Sequence, residues 1–194
     1  MYKRKEVEKL SGKEKFYGVD FSILEFWQYG FSNLNSNILR GSLAEFIIEN
    51  LLKNKNEIGI RNPWGDYDVL YKNKKIEVKC SSYLQDWDQN EYSKINFCRL
   101  KAKDLYWSSA VDPFSKDNAK SYKADIYILC LFNHKDPQTL NLLDLEQWSF
   151  YVLTKKELKN LSNDSSSISL TRLEKYSVVA LKYKEVKNYI DNIV

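Results

Sequence analysis

Two carboxylates and an amine are close together in the middle of the chain, within two segments that alternate as β-strands do. In residues 75–81, Glu77 and Lys79 point to the same face of the predicted strand. In residues 66–71, Asp68 comes to lie near Glu77 if the two strands form a hairpin. A divalent cation relieves the repulsion between two carboxylates, and a lysine beside them can orient or deprotonate a water. This combination of residue types indicates metal-assisted hydrolysis of a phosphodiester.

The E-x-K spacing alone is weak evidence, because it occurs three times in the chain. The copies at residues 157–159 and 185–187 lie in segments with helical periodicity, where such pairs normally face solvent. Only the copy at residues 77–79 lies in a predicted strand, with an aspartate nine positions upstream at the start of another strand. The alternative for Glu77 and Lys79 is a cross-strand ion pair on an exposed face, and periodicity does not decide between the two.

Two scarce residue types exclude other chemistries. Histidine occurs once, at His134, which excludes sites that need several imidazoles and leaves a His-assisted nucleophile to this one residue. The three cysteines, Cys80, Cys98 and Cys130, are far apart in apolar stretches, so we expect buried, reduced thiols rather than disulfides. A metal bound by this chain should therefore be a hard, oxygen-liganded cation such as Mg²⁺, for which Mn²⁺ would substitute.

Size and composition set wider bounds. The 194 residues suffice for one domain with a core of ordinary size. With 30 Lys and Arg against 26 Asp and Glu, the net charge of +4 allows a polyanionic partner without requiring one. The longest apolar run, about eight residues, is too short to cross a membrane, and no signal-peptide stretch follows the charged N-terminus. We therefore expect a cytoplasmic protein with no membrane association.

The elements that must position Glu45, Asp68, Glu77 and Lys79 follow from periodicity and turn residues. Residues 21–37 and 41–53 are predicted helices, and Glu45 lies at the rim of the apolar arc of the second. Turns are predicted at residues 62–65 and 72–74, the latter because an asparagine tolerates a left-handed backbone. Further strands are predicted at residues 93–100, 124–132, 148–153, 168–173 and 178–183, and further helices at 154–161 and at the C-terminus.

Helices first, followed by a strand-rich middle with helices around it, predict an α/β or α+β fold. The strand at residues 124–132 is almost wholly apolar and should be buried on both faces of a mixed central sheet. We expect a single domain over residues 1–194, flanked by helices, in which residues 1–20 are an arm or a loose helix. Residues 108–120 are predicted to be a polar loop.

The pattern Asp68…Glu77-Val78-Lys79 resembles the PD-(D/E)xK signature of restriction endonucleases and repair nucleases. Glu45, in RGSLAEFI, is similar in kind to an upstream helical glutamate of that superfamily. The wider text FWQYGFSNLNSNILRGSLAEF…IEVKCSSYLQDW also resembles a group of small, uncharacterised prokaryotic proteins with restriction-endonuclease-like folds. The resemblance covers about residues 26–100, and a weaker similarity is found in residues 148–153.

The chain departs from the signature at one position, because Tyr67 rather than proline precedes Asp68. Asp66 lies two positions earlier on the same face of the predicted strand, so either aspartate can be the metal ligand. Asp68 is preferred because the apolar Val69 and Leu70 follow it directly and place it inside the strand.

The resemblance implies an αβββαβ, restriction-endonuclease-like core and a role for each residue of the site. Asp68 and Glu77 would bind Mg²⁺ with the help of the Val78 carbonyl. Lys79 would position the attacking water, and Glu45 would bind a second cation directly or through water. These are the residues that we predict to be catalytic and metal-binding.

Five flanking residues are predicted to assist. Gln85 follows the strand and would contact the phosphate or the water, the alternative being a surface loop amide. Arg40 begins the helix of the upstream glutamate and either reaches a phosphate or pairs with a carboxylate. Trp64, Tyr83 and Trp87 could stack on unpaired bases, although most aromatic residues of such a chain belong to the core.

The expected function is therefore a Mg²⁺-dependent DNA endonuclease of the PD-(D/E)xK type, in restriction, defence or repair. Dimerisation would suit cleavage of two strands. Two alternatives stay open: a nucleic-acid-binding module that has the fold but no activity, and a structural or interaction protein in which Glu77 and Lys79 form only an ion pair.

Overall fold

The computed structural model describes residues 5–104 and 118–194. These residues form six strands and five α-helices. The strands are β1 (Val69–Tyr71), β2 (Lys74–Ser82), β3 (Asn96–Phe97), β4 (Ile126–Phe132), β5 (Trp148–Thr154) and β6 (Ile168–Ser169). The helices are α1 (Ile23–Phe31), α2 (Asn37–Leu52), α3 (Lys155–Leu161), α4 (Leu170–Lys175) and α5 (Tyr183–Asp191). Two 3₁₀ turns lie at Lys55–Glu57 and Leu145–Gln147.

A mixed four-stranded sheet with the order β1-β2-β4-β5 organises the fold. Strand β1 is antiparallel to β2, β2 is parallel to β4, and β4 is antiparallel to β5. Lys72 and Asn73 connect β1 to β2 with φ angles of 47° and 62°, the left-handed backbone that tight hairpins use. The predicted hairpin and the predicted mixed sheet flanked by helices are both confirmed.

Apolar side chains cover both faces of the sheet. On one face, Ile76 and Val78 of β2 pack with Ala44 and Ile48 of α2, and α5 packs on the same side. On the other face, the core includes Leu129 together with residues of α3, α4 and the small β3–β6 sheet. All seven residues of β4 are buried, as its continuous apolar sequence predicts.

The N-terminal helices differ from their predicted bounds because of their caps. Helix α1 starts only at Ile23, since Ser22 and Glu25 form a capping box before it. Helix α2 starts at Asn37 rather than at residue 41, because the Ser36 side chain accepts the backbone N–H of Leu39. Residues 5–20 form no helix. A β-bridge joins Lys15 to Ser22, and the carbonyls of Gly12 and Glu14 accept the backbone N–H groups of Leu24 and Ile23 at 3.0 and 2.8 Å.

Four predicted strands are wrong in extent, the first being that at residues 66–71, of which only Val69–Tyr71 is a strand. Residues 93–100 contain only the two-residue β3, which pairs with β6 in a separate sheet, because the left-handed backbone of Arg99 ends the strand. Residues 168–173 turn helical after Ser169, whose side chain caps α4. Residues 178–183 contribute one bridge, between Leu181 and Phe150. The αβββαβ order is therefore not reproduced strand for strand in residues 5–104 and 118–194.

Two further sequence expectations have separate outcomes. Cys130 is buried and Cys80 half-buried, and burial raises the pKa of the Cys80 thiol to about 12, whereas Cys98 is exposed, contrary to expectation. The predicted loop at residues 108–120 lies mostly outside the described residues. Within those residues, no helix combines the length and the apolar character needed to cross a membrane.

Candidate active site

Asp68 lies directly before β1, where the pairing of this strand with β2 ends. Its backbone N–H donates to the carbonyl of Ile76 at 3.0 Å, and its Oδ2 accepts the backbone N–H of Val78 at 2.7 Å. In a continued β-ladder a backbone carbonyl would accept the Val78 N–H, but here the Asp68 carboxylate accepts it. Asp68 therefore precedes β1 instead of lying inside it. Because the N–H and C=O of one strand residue point to the same side, the Val78 carbonyl also faces this edge.

The charge of Asp68 is poorly accommodated. Burial raises the pKa of Asp68 to about 7, and the neighbouring carboxylates of Glu77 and Glu45 act in the same direction. The Val78 N–H and the Lys79 ammonium oppose that shift without cancelling it. The structure therefore brings Asp68 within electrostatic reach of both glutamates, as the sequence predicted.

Glu77 and Lys79 form an ion pair on the face of β2 opposite Val78. Their side chains are only 20% and 23% exposed, so the pair does not lie on an open solvated face. Tyr127 is the neighbour of Glu77 in the parallel register. Burial raises the pKa of Tyr127 to about 12, and the charge of Glu77 adds to that rise.

The other two E-x-K copies have a plain structural role. Glu157 accepts the backbone N–H of Thr154 at 2.8 Å, and Glu185 accepts that of Lys182 at 2.6 Å. Each glutamate is thus the third residue of a helix and accepts the N–H of the residue before the helix; with Thr154, whose side chain accepts the Glu157 N–H in return, Glu157 forms a capping box. Only the copy on β2 brings a glutamate and a lysine beside a third charge of the predicted site.

Glu45 has a cationic partner that sequence reasoning missed. The Nη2 of Arg61 donates to Glu45 Oε1 at 2.6 Å, and its Nε donates to Oε2, so the contact is bidentate. This hydrogen bonding raises the pKa of Arg61. Sixteen residues separate the two, and no spacing signal links a helix residue to a loop residue across such a distance.

Two clefts meet at this edge of the sheet. The larger cleft, of about 460 Å³, is lined by Glu45, Arg61, Asp66 and Asp68 among others. The smaller cleft, of about 80 Å³, contains Glu77 and again Asp66. Both aspartates are therefore placed at the site, and Asp68 is the one that contacts β2.

The Gly65–Asp66 segment separates the larger cleft from the smaller one, since both residues line both clefts. It follows the predicted turn, in which the Gly65 N–H donates to the Asn62 carbonyl at 3.3 Å. A Cβ at position 65 would lie 3.0 Å from the Tyr67 carbonyl oxygen. Any larger residue would therefore crowd that backbone oxygen by a few tenths of an ångström.

The donors at this edge suit Mg²⁺ by type, because Asp68, Glu77 and the Val78 carbonyl supply only oxygen. Within the part of the chain that the structure describes, however, no three His, Cys, Asp or Glu side chains are gathered closely enough to hold a metal ion. Glu45 and Glu77 are instead engaged by Arg61 and Lys79. The residues therefore fit the cation chemically, and binding requires the two glutamates to leave their ion pairs.

Arg40 does neither of the two things predicted for it. Its side chain is 3% exposed, so in this conformation it does not reach a phosphate, and among the described residues it contacts no carboxylate. Instead its guanidinium donates to Asn35, Asn37 and Gln85, the last at 3.0 Å. The prediction failed because α2 starts earlier than expected, which places Arg40 within the helix and against the core.

Gln85 is not a free surface amide. Its Nε2 donates to the Ser82 carbonyl at 3.0 Å and to Ser93 Oγ at 3.1 Å, while its Oε1 accepts from Arg40. Ser82 ends β2 five residues beyond Glu77, roughly 16 Å along the strand. Gln85 therefore supports the loop after β2, and its predicted contact with a phosphate or water has no geometric basis in this conformation.

The three predicted stacking residues differ in exposure. Trp64 and Trp87 are 64% and 57% exposed. Tyr83 is half-buried, with the ring of Tyr92 6.1 Å away and the Nζ of Lys135 4.3 Å from its ring centroid. Stacking on bases stays a prediction that suits the two tryptophans better than Tyr83.

No protein-family model matches the chain, and comparison with curated proteins and with solved structures likewise found no significant match. The resemblance to PD-(D/E)xK nucleases therefore depends on the residues themselves. The functional argument depends on the geometry around Asp68.

Proposed function

We propose that the protein is a Mg²⁺-dependent endonuclease that hydrolyses DNA, with Asp68, Glu77 and Lys79 at its catalytic centre. The observation that carries this proposal is the buried carboxylate of Asp68 within electrostatic reach of Glu45 and Glu77, with the half-buried Lys79 beside Glu77. Like charges held together away from water cost stability, and such arrangements are concentrated at functional sites. Cytoplasmic location, dimerisation and a role in restriction or repair belong to the same proposal.

Each residue has a distinct task in this proposal. Asp68, Glu77 and the Val78 carbonyl would hold Mg²⁺ or Mn²⁺, and Glu45 would hold a second cation or an ordered water. When bound, the cation supplies Lewis acidity and a more acidic water. Lys79 lies beside Glu77, so on release from that ion pair its Nζ can donate to the attacking water or to the phosphate oxygens.

A non-catalytic nucleic-acid-binding module is the second candidate. The ion pairs Glu77–Lys79 and Glu45–Arg61 favour it, because they neutralise two of the three carboxylates without any metal. In that case Lys79 and Arg61 would matter for stability or charge, and no variant at the site would have a catalytic phenotype.

A plasmid-nicking assay with Mg²⁺ or Mn²⁺, and with EDTA as the metal-free arm, separates the two candidates. We expect Lys79→Ala and Glu77→Ala to lower the cleavage rate by at least about a hundredfold, the usual scale for a group that positions or transfers a proton. DNA binding should change little, since one phosphate contact among several is a small share of the affinity.

Lys159→Ala is the matched control for the assay, because Lys159 belongs to a helical E-x-K copy and is exposed on α3. Lys187 is a poorer control, since its Nζ contacts Tyr71 and Asp191. Equal losses at Lys79 and Lys159 would show that overall charge explains the activity. Cleavage that persists in EDTA would exclude the metal-dependent reaction.

A further inference from the structure

The smaller cleft beside Glu77 is lined by three cations, Arg99, Lys103 and Lys123. Lys123 forms an ion pair with Asp104. Among the described residues, the side chains of Arg99 and Lys103 have neither an ion-pair partner nor a hydrogen-bond partner. Two uncompensated positive charges therefore border the same small space as a predicted catalytic carboxylate.

The position of Arg99 is set by the core beneath it. Arg99 has a φ of 58°, a left-handed backbone that non-glycine residues rarely adopt. Phe97 before it and Leu100 after it are both buried, and the Leu100 N–H donates to the Ser166 carbonyl at 3.0 Å. The left-handed backbone at Arg99 lets the side chains of Phe97 and Leu100 point into the core, and it leaves Arg99 exposed at the cleft.

The dimensions of the cleft restrict what can enter it. Its volume of about 80 Å³, against about 460 Å³ for the larger cleft, suits a small group such as a phosphate. Lys123 is paired with Asp104 and Glu77 with Lys79, so Arg99 and Lys103 leave the lining with one positive charge more than the remaining carboxylate, Asp66. A singly charged phosphodiester matches both the size and the excess charge.

We propose that Arg99 and Lys103 form a subsite that binds a backbone phosphate of duplex DNA next to the bond cleaved at Glu77. This inference deepens the proposed function and depends on it for the position of the cleaved bond. The guanidinium of Arg99 can make a bidentate contact with phosphate oxygens, and Lys103 adds a point charge. Arg99 would thus take one of the two roles predicted for Arg40, contact with a phosphate.

Fluorescence anisotropy with a short labelled DNA duplex in EDTA tests the subsite without cleavage. We expect the double variant Arg99→Gln/Lys103→Gln to bind at least about tenfold more weakly than the parent protein at moderate salt. The slope of log affinity against log salt should fall by about two, since each phosphate contact contributes about one. Glutamine keeps much of the side-chain length. If the melting temperature of the variant is unchanged, the loss of DNA affinity is due to the loss of charge.

Lys175→Gln/Lys184→Gln is the control, because it removes the same charge from exposed residues of α4 and α5 that line neither cleft. If both double variants bind alike, the subsite is refuted, while metal-dependent cleavage by the parent would leave the nuclease proposal standing. If the parent protein neither binds DNA at low salt nor cleaves it, the subsite and the nuclease proposal both fail.

Discussion

Asp68 and Asp191 contact opposite ends of the same three-residue strand, β1, in surroundings of opposite sign. Asp191 accepts a hydrogen bond from the Tyr71 hydroxyl at 2.6 Å and pairs with Lys72 at 2.9 Å. The contacts with Lys72 and Tyr71 lower the pKa of Asp191 to about 2. At the other end, burial and two neighbouring glutamates raise the pKa of Asp68 to about 7.

The ionised carboxylate of Asp191 stabilises the folded state, whereas the ionised carboxylate of Asp68 destabilises it. Asp191 joins the last helix to the edge strand, and its ionised form is favoured by every charged partner described here. The ionised form of Asp68 is disfavoured by its surroundings, although its carboxylate accepts the Val78 N–H. A carboxylate that costs stability at neutral pH needs another reason for its position, and a cation that binds Asp68 and Glu77 together would supply one.

The sharpest test of this contrast is Asp68→Asn in the metal-free protein. The folded-state pKa of about 7 lies above the unfolded value of about 3.9, so ionisation of Asp68 disfavours the folded state. The variant should therefore gain on the order of 1–4 kcal/mol in free energy of unfolding above pH 7. The gain should shrink as the pH falls from about 7 and disappear below about pH 4. Urea unfolding at several pH values measures it; a variant less stable than the parent at pH 8 would refute the assignment.

A second test adds the cation. Mg²⁺ must compete with a proton for Asp68, so we expect it to raise the melting temperature of the parent protein more at pH 8 than at pH 6. Asp68→Asn should abolish most of the rise at pH 8. Differential scanning fluorimetry with Mg²⁺ and, as a matched arm, an equal ionic strength of KCl would check this. A rise that does not depend on pH, or that survives in Asp68→Asn, would place the metal elsewhere.

The smallest effect is expected at the other end of the strand. Asp191→Asn should lower the melting temperature slightly at pH 7, because Lys72 and Lys187 lose their anionic partner. The folded pKa of about 2 lies below the unfolded value of about 3.9, so the loss should fade as the pH falls from about 4 to about 2. Thermal melts by circular dichroism at these pH values would measure it. A destabilisation that grows toward low pH would contradict the assigned ion pairs.

The sequence predicted the β-hairpin because the signals for it are local. Alternation placed Glu77 and Lys79 on one face, and Asn73 indicated the left-handed turn that brings Asp68 back beside them. The elements that were wrong lacked such signals. Residues 168–173 are too short for periodicity to distinguish strand from helix, and the sequence does not show that the Ser169 side chain accepts the Arg172 N–H and starts α4.

The cationic half of the site could not be predicted, because it depends on contacts between distant segments. Arg61 meets Glu45 only when the loop after α2 folds back over that helix. Arg99 enters the smaller cleft because Phe97 and Leu100 fill a core to which other elements also contribute. Both positions are consequences of tertiary packing, for which a single sequence gives no spacing rule.

The Gly65–Asp66 segment lines both clefts, so ligands bound in the two clefts as proposed would be linked thermodynamically. A cation held by Asp68, which lines the larger cleft, and a phosphate held by Arg99 in the smaller one would both act on this short segment of backbone. A ligand that fixes the segment on one side changes the free energy of binding on the other. Such coupling is reciprocal, so whatever factor the metal adds to the affinity for DNA, DNA must add to the affinity for the metal.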